Sequence, residues 1–163
     1  MKTRFVSLLL SGVLVAAGLS AQTKTSGKAL CKQDPSAPAP VALTDKPNHM
    51  FGVGKDMCTW TGFTVAGQPY KTGVGASLNE ITGDSSSSNG YHTATTSTGD
   101  TTTAKFQGTG KSKDGKPVSG EGTWVFSSGT GKLAGIKGGG TFKGTANADG
   151  SMTYQVDGEY QLP

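Results

Sequence analysis

The chain has 163 residues, of which 26 are glycine, 33% are hydrophobic and 16% are charged, against about 45–50% apolar and about 25% charged in an ordinary domain. So low an apolar share excludes a large multi-helix core or several spanning helices and points to one turn-rich β domain. The net charge of +4 shrinks to 13 basic residues against 11 acidic once Lys2 and Arg4 are set aside, and Arg4 is the one arginine. Without guanidinium forks for phosphate or guanine, nucleic acid is not an expected partner.

Met1-Lys2-Thr3-Arg4 is a basic start, and the apolar run from Phe5 to Leu19 ends at Leu19-Ser20-Ala21. A basic lead, a short apolar run and a small residue at the cut predict an export signal over residues 1–21, with cleavage after Gly18 as the alternative. The run is short of the ~20 apolar residues a spanning helix needs, and no second one follows, so no membrane span is expected after its removal. Export to a periplasm or medium puts Cys31 and Cys58, the two cysteines of the chain, where disulfides persist. One bridge between them is predicted, stabilising by about 3.5 kcal/mol in the chain-entropy picture.

Residues 22–50 are polar and punctuated by Pro35, Pro38, Pro40 and Pro47, which oppose a regular helix or a central strand. They read as an extended proline-rich arm, tied to the body by the cysteine bridge. Residues 51–163 then read as a β-barrel domain. Cys58 to Phe63 and Ala76 to Thr82 are predicted strands, and Asp84 to Gly90 a serine-rich loop. Tyr91 to Thr96 and Thr101 to Gln107 are threonine-rich strands, and Gly120 to Phe126 and Gly140 to Thr145 carry Trp124, Phe126 and Phe142 at period two.

The clearest alternation is at the end. Met152, Tyr154, Val156, Gly158, Tyr160 and Leu162 face one way, with Thr153, Gln155, Asp157, Glu159 and Gln161 opposite, the pattern of a half-buried antiparallel strand. Asp114-Gly115 and Asp149-Gly150 mark tight hairpins. Sustained helical periodicity is missing beyond the first 21 residues. The expected fold is all-β, a single antiparallel calycin-like barrel of about eight strands.

Several stretches imitate chemical motifs and fail on context. Gly108-Thr109-Gly110-Lys111-Ser112 ends like a phosphate-binding loop, but Lys105 stands where the first glycine belongs and no helix pattern follows. Gly129-Thr130-Gly131-Lys132-Leu133-Ala134 spells a dinucleotide fingerprint that runs into Gly138-Gly139-Gly140 instead of a helix. His49, Met50 and Met57 offer copper-type donors without a tight cluster, so no metal site is expected. Asp157 and Glu159 share the polar face of one strand and read as solvated. His49 and His92 show no triad spacing. Catalytic residues and cofactors are therefore not assigned.

The segment Gly122-Thr123-Trp124-Val125-Phe126, followed by Gly129 to Phe142 as G-T-G-K-x-x-G-I-x-G-x-G-T and an aromatic, resembles the hairpin shared by allene oxide cyclase-like and dirigent-like barrels. It also resembles small exported bacterial proteins of unknown function that carry this hairpin. The likeness covers roughly residues 91–163. It implies a closed barrel with a small apolar lumen, in which Gly129 and Gly131 permit the turn and Leu133 and Ile136 plug one end. The plant enzymes' catalytic residues have no match here, so the resemblance carries no cyclase activity.

The resulting expectation is an exported, non-catalytic barrel. Its partner would be a small apolar or aromatic ligand in a lumen lined by Trp60, Phe106, Trp124, Phe126, Phe142, Tyr154 and Tyr160, with His92 at its rim. The alternatives are an envelope or matrix interaction protein and an isomerase- or cyclase-like enzyme on a lipid-derived substrate.

Overall fold

Runs of Thr, Ser and Val set between glycine turns pair more readily into antiparallel ladders than into helices, because branched side chains suit the pleated surface. In the computed structural model, which describes residues 22–163, ten strands form: β1 (Thr23–Gln33), β2 (Val41–Leu43), β3 (His49–Thr61), β4 (Thr64–Val65), β5 (Gln68–Thr82), β6 (Ser85–Thr96), β7 (Thr101–Lys113), β8 (Lys116–Gly129), β9 (Lys137–Ala146) and β10 (Met152–Gln161). The expected export segment, Met1–Ala21, lies outside the described residues. Strands β5 to β10 follow one another as a meander, β1 pairs with β10, and β3 pairs with both β1 and β5. That last pairing closes the sheet into an eight-stranded antiparallel barrel, with β2 and β4 as short additions.

The hairpins fall where turn chemistry places them. Asp114 and Gly115 both take positive φ, 52° and 72°, as a two-residue turn that matches strand twist requires. Gly150 at φ 82° closes the β9–β10 connection. The final strand alternates as its sequence says, with Val156 and Tyr160 buried and Asp157 exposed.

Two segments differ from the sequence expectation. Thr23–Gln33, assigned above to the arm, is a full barrel strand, paired with β10 from Thr23 to Cys31 and with β3 from Lys28 to Gln33. Small inward residues, Thr25, Gly27, Ala29 and Cys31, carry its alternation in place of large apolar ones, which hid the pattern. The proline-bearing stretch shortens to an excursion from Asp34, after which β2 rejoins β3 at Val41 opposite Phe51. Asp34 pins the exit: its backbone N–H donates to Lys55 O (2.9 Å) and its carboxylate pairs with Lys55 Nζ (2.7 Å). The Cys31–Cys58 disulfide is present and joins β1 to β3 between residues directly opposite in register.

The serine-rich stretch is the second difference. Ser85–Gly90, expected as a loop, is the first half of β6, held by ladders to β5 on one side and β7 on the other. Two flanking strands satisfy its backbone whatever its side chains prefer. The phosphate-loop imitation Gly108–Ser112 likewise lies within β7, an extended strand with no cradle of N–H groups.

One end of the barrel is sealed. Leu133 and Val65 are fully buried, joined by Phe63, Ile136 and Tyr70. Gly131 sits at φ 54° at the start of a short 3-10 turn, Gly131–Leu133, which drives Leu133 into the barrel end. A hydrogen-bond web ties this end together: Gln68 Nε2 donates to Asp100 Oδ2 (3.0 Å), Thr96 Oγ1 to Gln68 Oε1 (2.9 Å), and the Lys132 N–H to Asp100 Oδ2 (3.1 Å).

Candidate functional site

Inward side chains of the eight barrel strands leave a cavity of about 140 Å³ below the sealed end. Of the residues predicted for a lumen, Trp60, Phe106, Trp124, Phe126, Phe142, Tyr154 and His92 line it. Tyr160 does not: it is buried in the sealed end, where its hydroxyl accepts the Ala66 N–H at 2.8 Å. The wall also contains residues the sequence reading passed over, among them Asp56, Phe63, Tyr70, Thr102 and Val156. The aromatic rings meet at angles, as ring quadrupoles favour. Trp60 lies 5.1 Å from Phe63, 5.4 Å from Tyr70 and 5.6 Å from His92 between ring centroids.

Three strands build the polar part of this wall. Gly75 of β5 stands opposite Asp56 of β3 on one side and opposite His92 of β6 on the other. A Cβ at residue 75 would come within 2.4 Å of an Asp56 carboxylate oxygen, so glycine here lets the two flanking side chains converge. His92 Nδ1 and Asp56 Oδ1 are 3.9 Å apart, a charge-facing distance rather than a hydrogen bond. Burial pushes the His92 imidazole down to about 4, which keeps it neutral near pH 7. Burial raises the Asp56 carboxyl, with the Gly75 N–H acting against it.

Gly73 makes a second close approach. A Cβ there would lie 2.2 Å from His92 Nε2 and 3.0 Å from Trp60 Nε1. Neither of those buried atoms has a hydrogen-bond partner among the described residues. Two other polar pairs line the cavity: Tyr70 Oη and Thr102 Oγ1 are 2.5 Å apart, and Trp124 Nε1 donates to Thr141 O at 3.3 Å. Burial holds the Tyr70 phenol up at about 12 and raises that of Tyr154.

The other histidine is differently placed. His49 is buried on the outer face, its Nδ1 2.6 Å from Asp45 and its Nε2 2.9 Å from Glu80. The hydrogen bond to Asp45, opposed by burial and helped by Glu80, raises its pKa. With both ring nitrogens engaged by carboxylates, His49 joins neither Met50 nor Met57 in a donor set. Asp56 also lies near Cys31 and Cys58, but their bridge leaves no thiolate for a metal.

These features define a closed antiparallel β-barrel with an aromatic lumen. No protein-family model matches the chain, and no curated protein matches it. Among solved structures it is similar to a protein of unknown function from the DUF3224 family of Shewanella oneidensis MR-1, at 18% identity and a TM-score of 0.53, over 88% of this chain and 99% of that one. It is also similar to a pterocarpan synthase dirigent protein, at 14% identity and a TM-score of 0.49, over 99% of this chain and 100% of that one. The likeness to the Shewanella protein is one of fold.

Proposed function

We propose that the protein is an exported, non-catalytic barrel that holds one small apolar or aromatic ligand in its lumen. The observation that carries this reading is the cavity of about 140 Å³ walled by aromatic rings. Eight-stranded barrels are of a size either to fill with side chains or to hold one small ligand, and an apolar cavity of this volume takes a molecule about as large as benzene. Export to the periplasm or medium rests on the pattern of residues 1–21 and agrees with the Cys31–Cys58 bridge.

Saturable binding of benzene-sized probes, followed through the methyl and ring resonances of Ala94, Phe126 and Val156, tests the lumen. Shifts confined to cavity residues are expected. Titration to saturation of the solvent with no such shifts overturns the reading.

A second reading, an envelope or matrix interaction protein, is favoured by one observation. The outer face of β3 and β5 exposes Phe51, Val53, Met57, Val74 and Leu78, with Val53 opposite Leu78 and Met57 opposite Val74. Lys55, opposite Ala76, interrupts this row between Val53 and Met57, and exposed apolar side chains gathered on one face are a common mark of an interaction surface. Retention on isolated envelope that Val53→Lys abolishes, with lumen binding absent, would favour it.

A further inference from the structure

Asp56 is the one carboxylate among the described residues that line the aromatic lumen. It shares the inward row of β3 with Cys58 and Trp60, and its oxygens lie over Gly75 of the neighbouring strand. Gly54 and Gly52 follow it toward the open end, and its side chain is 38% exposed, so solutes reach it. No cation of the protein answers its charge. Every lysine among the described residues is exposed, and ion pairs take Lys32 to Asp149, Lys46 to Glu80 and Lys55 to Asp34. From β6, His92 presents Nδ1 at 3.9 Å, but burial lowers its pKa to about 4 and leaves the ring neutral near pH 7. From β10 comes Tyr154, whose phenol is raised by burial and by the Asp56 charge. Gly75 supplies a backbone N–H, which is a dipole and not a counter-charge, and the neighbouring Cys31–Cys58 bridge is neutral.

Resting on the lumen reading above, we propose that the ligand is a small organic amine bound as its ammonium ion, its N–H groups donating to the Asp56 carboxylate and its apolar or aromatic body lying among the rings of the lumen. A half-buried carboxylate without a counter-charge is unfavourable in the free protein, and an ammonium relieves it with a charge-assisted hydrogen bond. The aromatic wall adds to this, since ring faces attract a cation. An alkyl ammonium keeps its proton near pH 7, as that of lysine does. A ligand carboxylate would meet Asp56 as a like charge. A metal ion would find one carboxylate beside a closed disulfide, too few donors to hold it.

Benzylamine, benzyl alcohol and toluene share a ring and differ at the end that would reach Asp56. Their affinities for the folded protein, measured by NMR titration at pH 7 and low salt, separate the possibilities. Benzylamine is expected to bind at least about tenfold more tightly than either neutral compound, while shifting the methyl resonances of Ala94 and Val156, which line the same cavity. Burial raises the Asp56 carboxyl. A bound ammonium opposes that, so the Asp56 carboxyl carbon should titrate at lower pH with benzylamine than without it.

Asp56→Asn keeps the shape and removes the charge, and it should abolish the advantage of benzylamine while leaving toluene bound as in the native protein. Should that variant lose toluene as well, the carboxyl-carbon titration of the native protein decides: a fall supports the amine and no change overturns it. Toluene or benzyl alcohol bound by the native protein as tightly as benzylamine overturns the amine and leaves the lumen reading standing. A benzylamine preference that survives Asp56→Asn, or shifts confined to outward carboxylates such as Asp157, has the same consequence. Binding of none of the three overturns both readings.

Discussion

The two ends of the barrel are built on different principles. At the sealed end, Phe63, Val65, Leu133 and Ile136 come from the β4 hairpin and the turn after β8 and are almost wholly withdrawn from solvent. Around them Gln68, Thr96 and Asp100 exchange hydrogen bonds across three connections. At the opposite end Ser86, Ser88, Gly108, Gly110 and Gly120 face inward, all half-buried, beside the half-buried pair Met50 and Ile81. Backbone ladders continue to the strand tips there, so the shape persists with little side-chain packing. Apolar burial, worth about 25 cal/mol per Å², is concentrated at one end, while the cavity with Asp56, Trp60 and His92 lies between the two. A barrel arranged this way can vary its lumen without losing its anchor.

The largest expected effect probes where packing is concentrated. Trp124→Ala removes a ring that is 7% exposed and packed edge-on against Phe126 and Phe63, and should cost about 3–5 kcal/mol in urea denaturation. A loss below about 1 kcal/mol would mean that this wall carries little of the stability.

Next is the lumen's response to acid. Unfolded His92 takes up its proton near 6.5, whereas the buried ring does so at about 4. The unfolded state therefore binds the proton first. Stability from this group is complete above pH 6.5 and falls by up to about 3 kcal/mol as pH drops toward 4. Asp56, raised by burial, opposes this in the range just above 3.8. His49, with a raised pKa, contributes stability that is present below 6.5 and lost as pH climbs through its folded value. The difference between wild type and His92→Phe isolates the His92 part, and parallel pH profiles for the two would refute it.

A matched pair of glycines gives the sharpest contrast between the ends. Gly131→Ala forces a side chain into positive φ and to within 1.9 Å of an Asp100 carboxylate oxygen, for an expected loss of about 1–3 kcal/mol. Gly110→Ala sits in an extended strand where the nearest atom, Ser86 Oγ at 2.6 Å, can rotate away, and should change stability by less than about 0.5 kcal/mol. Equal denaturation midpoints for the two variants would erase the distinction between the ends.

Much of this was written locally in the chain. The period-two pattern of residues 152–162, the positive φ at Gly115, Gly131 and Gly150 and the Cys31–Cys58 bridge follow from side-chain chemistry within a few residues or from a single pair of thiols. Thr23–Gln33 escaped notice because small residues, not large apolar ones, face inward there. Ser85–Gly90 escaped because its strand is imposed by neighbours on both sides.

The candidate site shows the same limit most clearly. Trp60 and His92 were visible as residues, but Asp56 looked like any charged residue in a mixed strand, and Gly73 and Gly75 like any of the 26 glycines. Their meaning depends on register. Gly75 falls between Asp56 and His92, and Gly73 beneath the tips of Trp60 and His92, because β3, β5 and β6 pair at one particular offset. A slip of one residue would turn every one of these side chains to the opposite face. The sequence by itself determined the last strand and the tight turns, which depend on near neighbours, and the bridge, which depends on there being two cysteines. The close approach of Trp60 and His92 over a bare glycine was decided by the closed sheet, because long-range pairing sets which residues stand opposite one another.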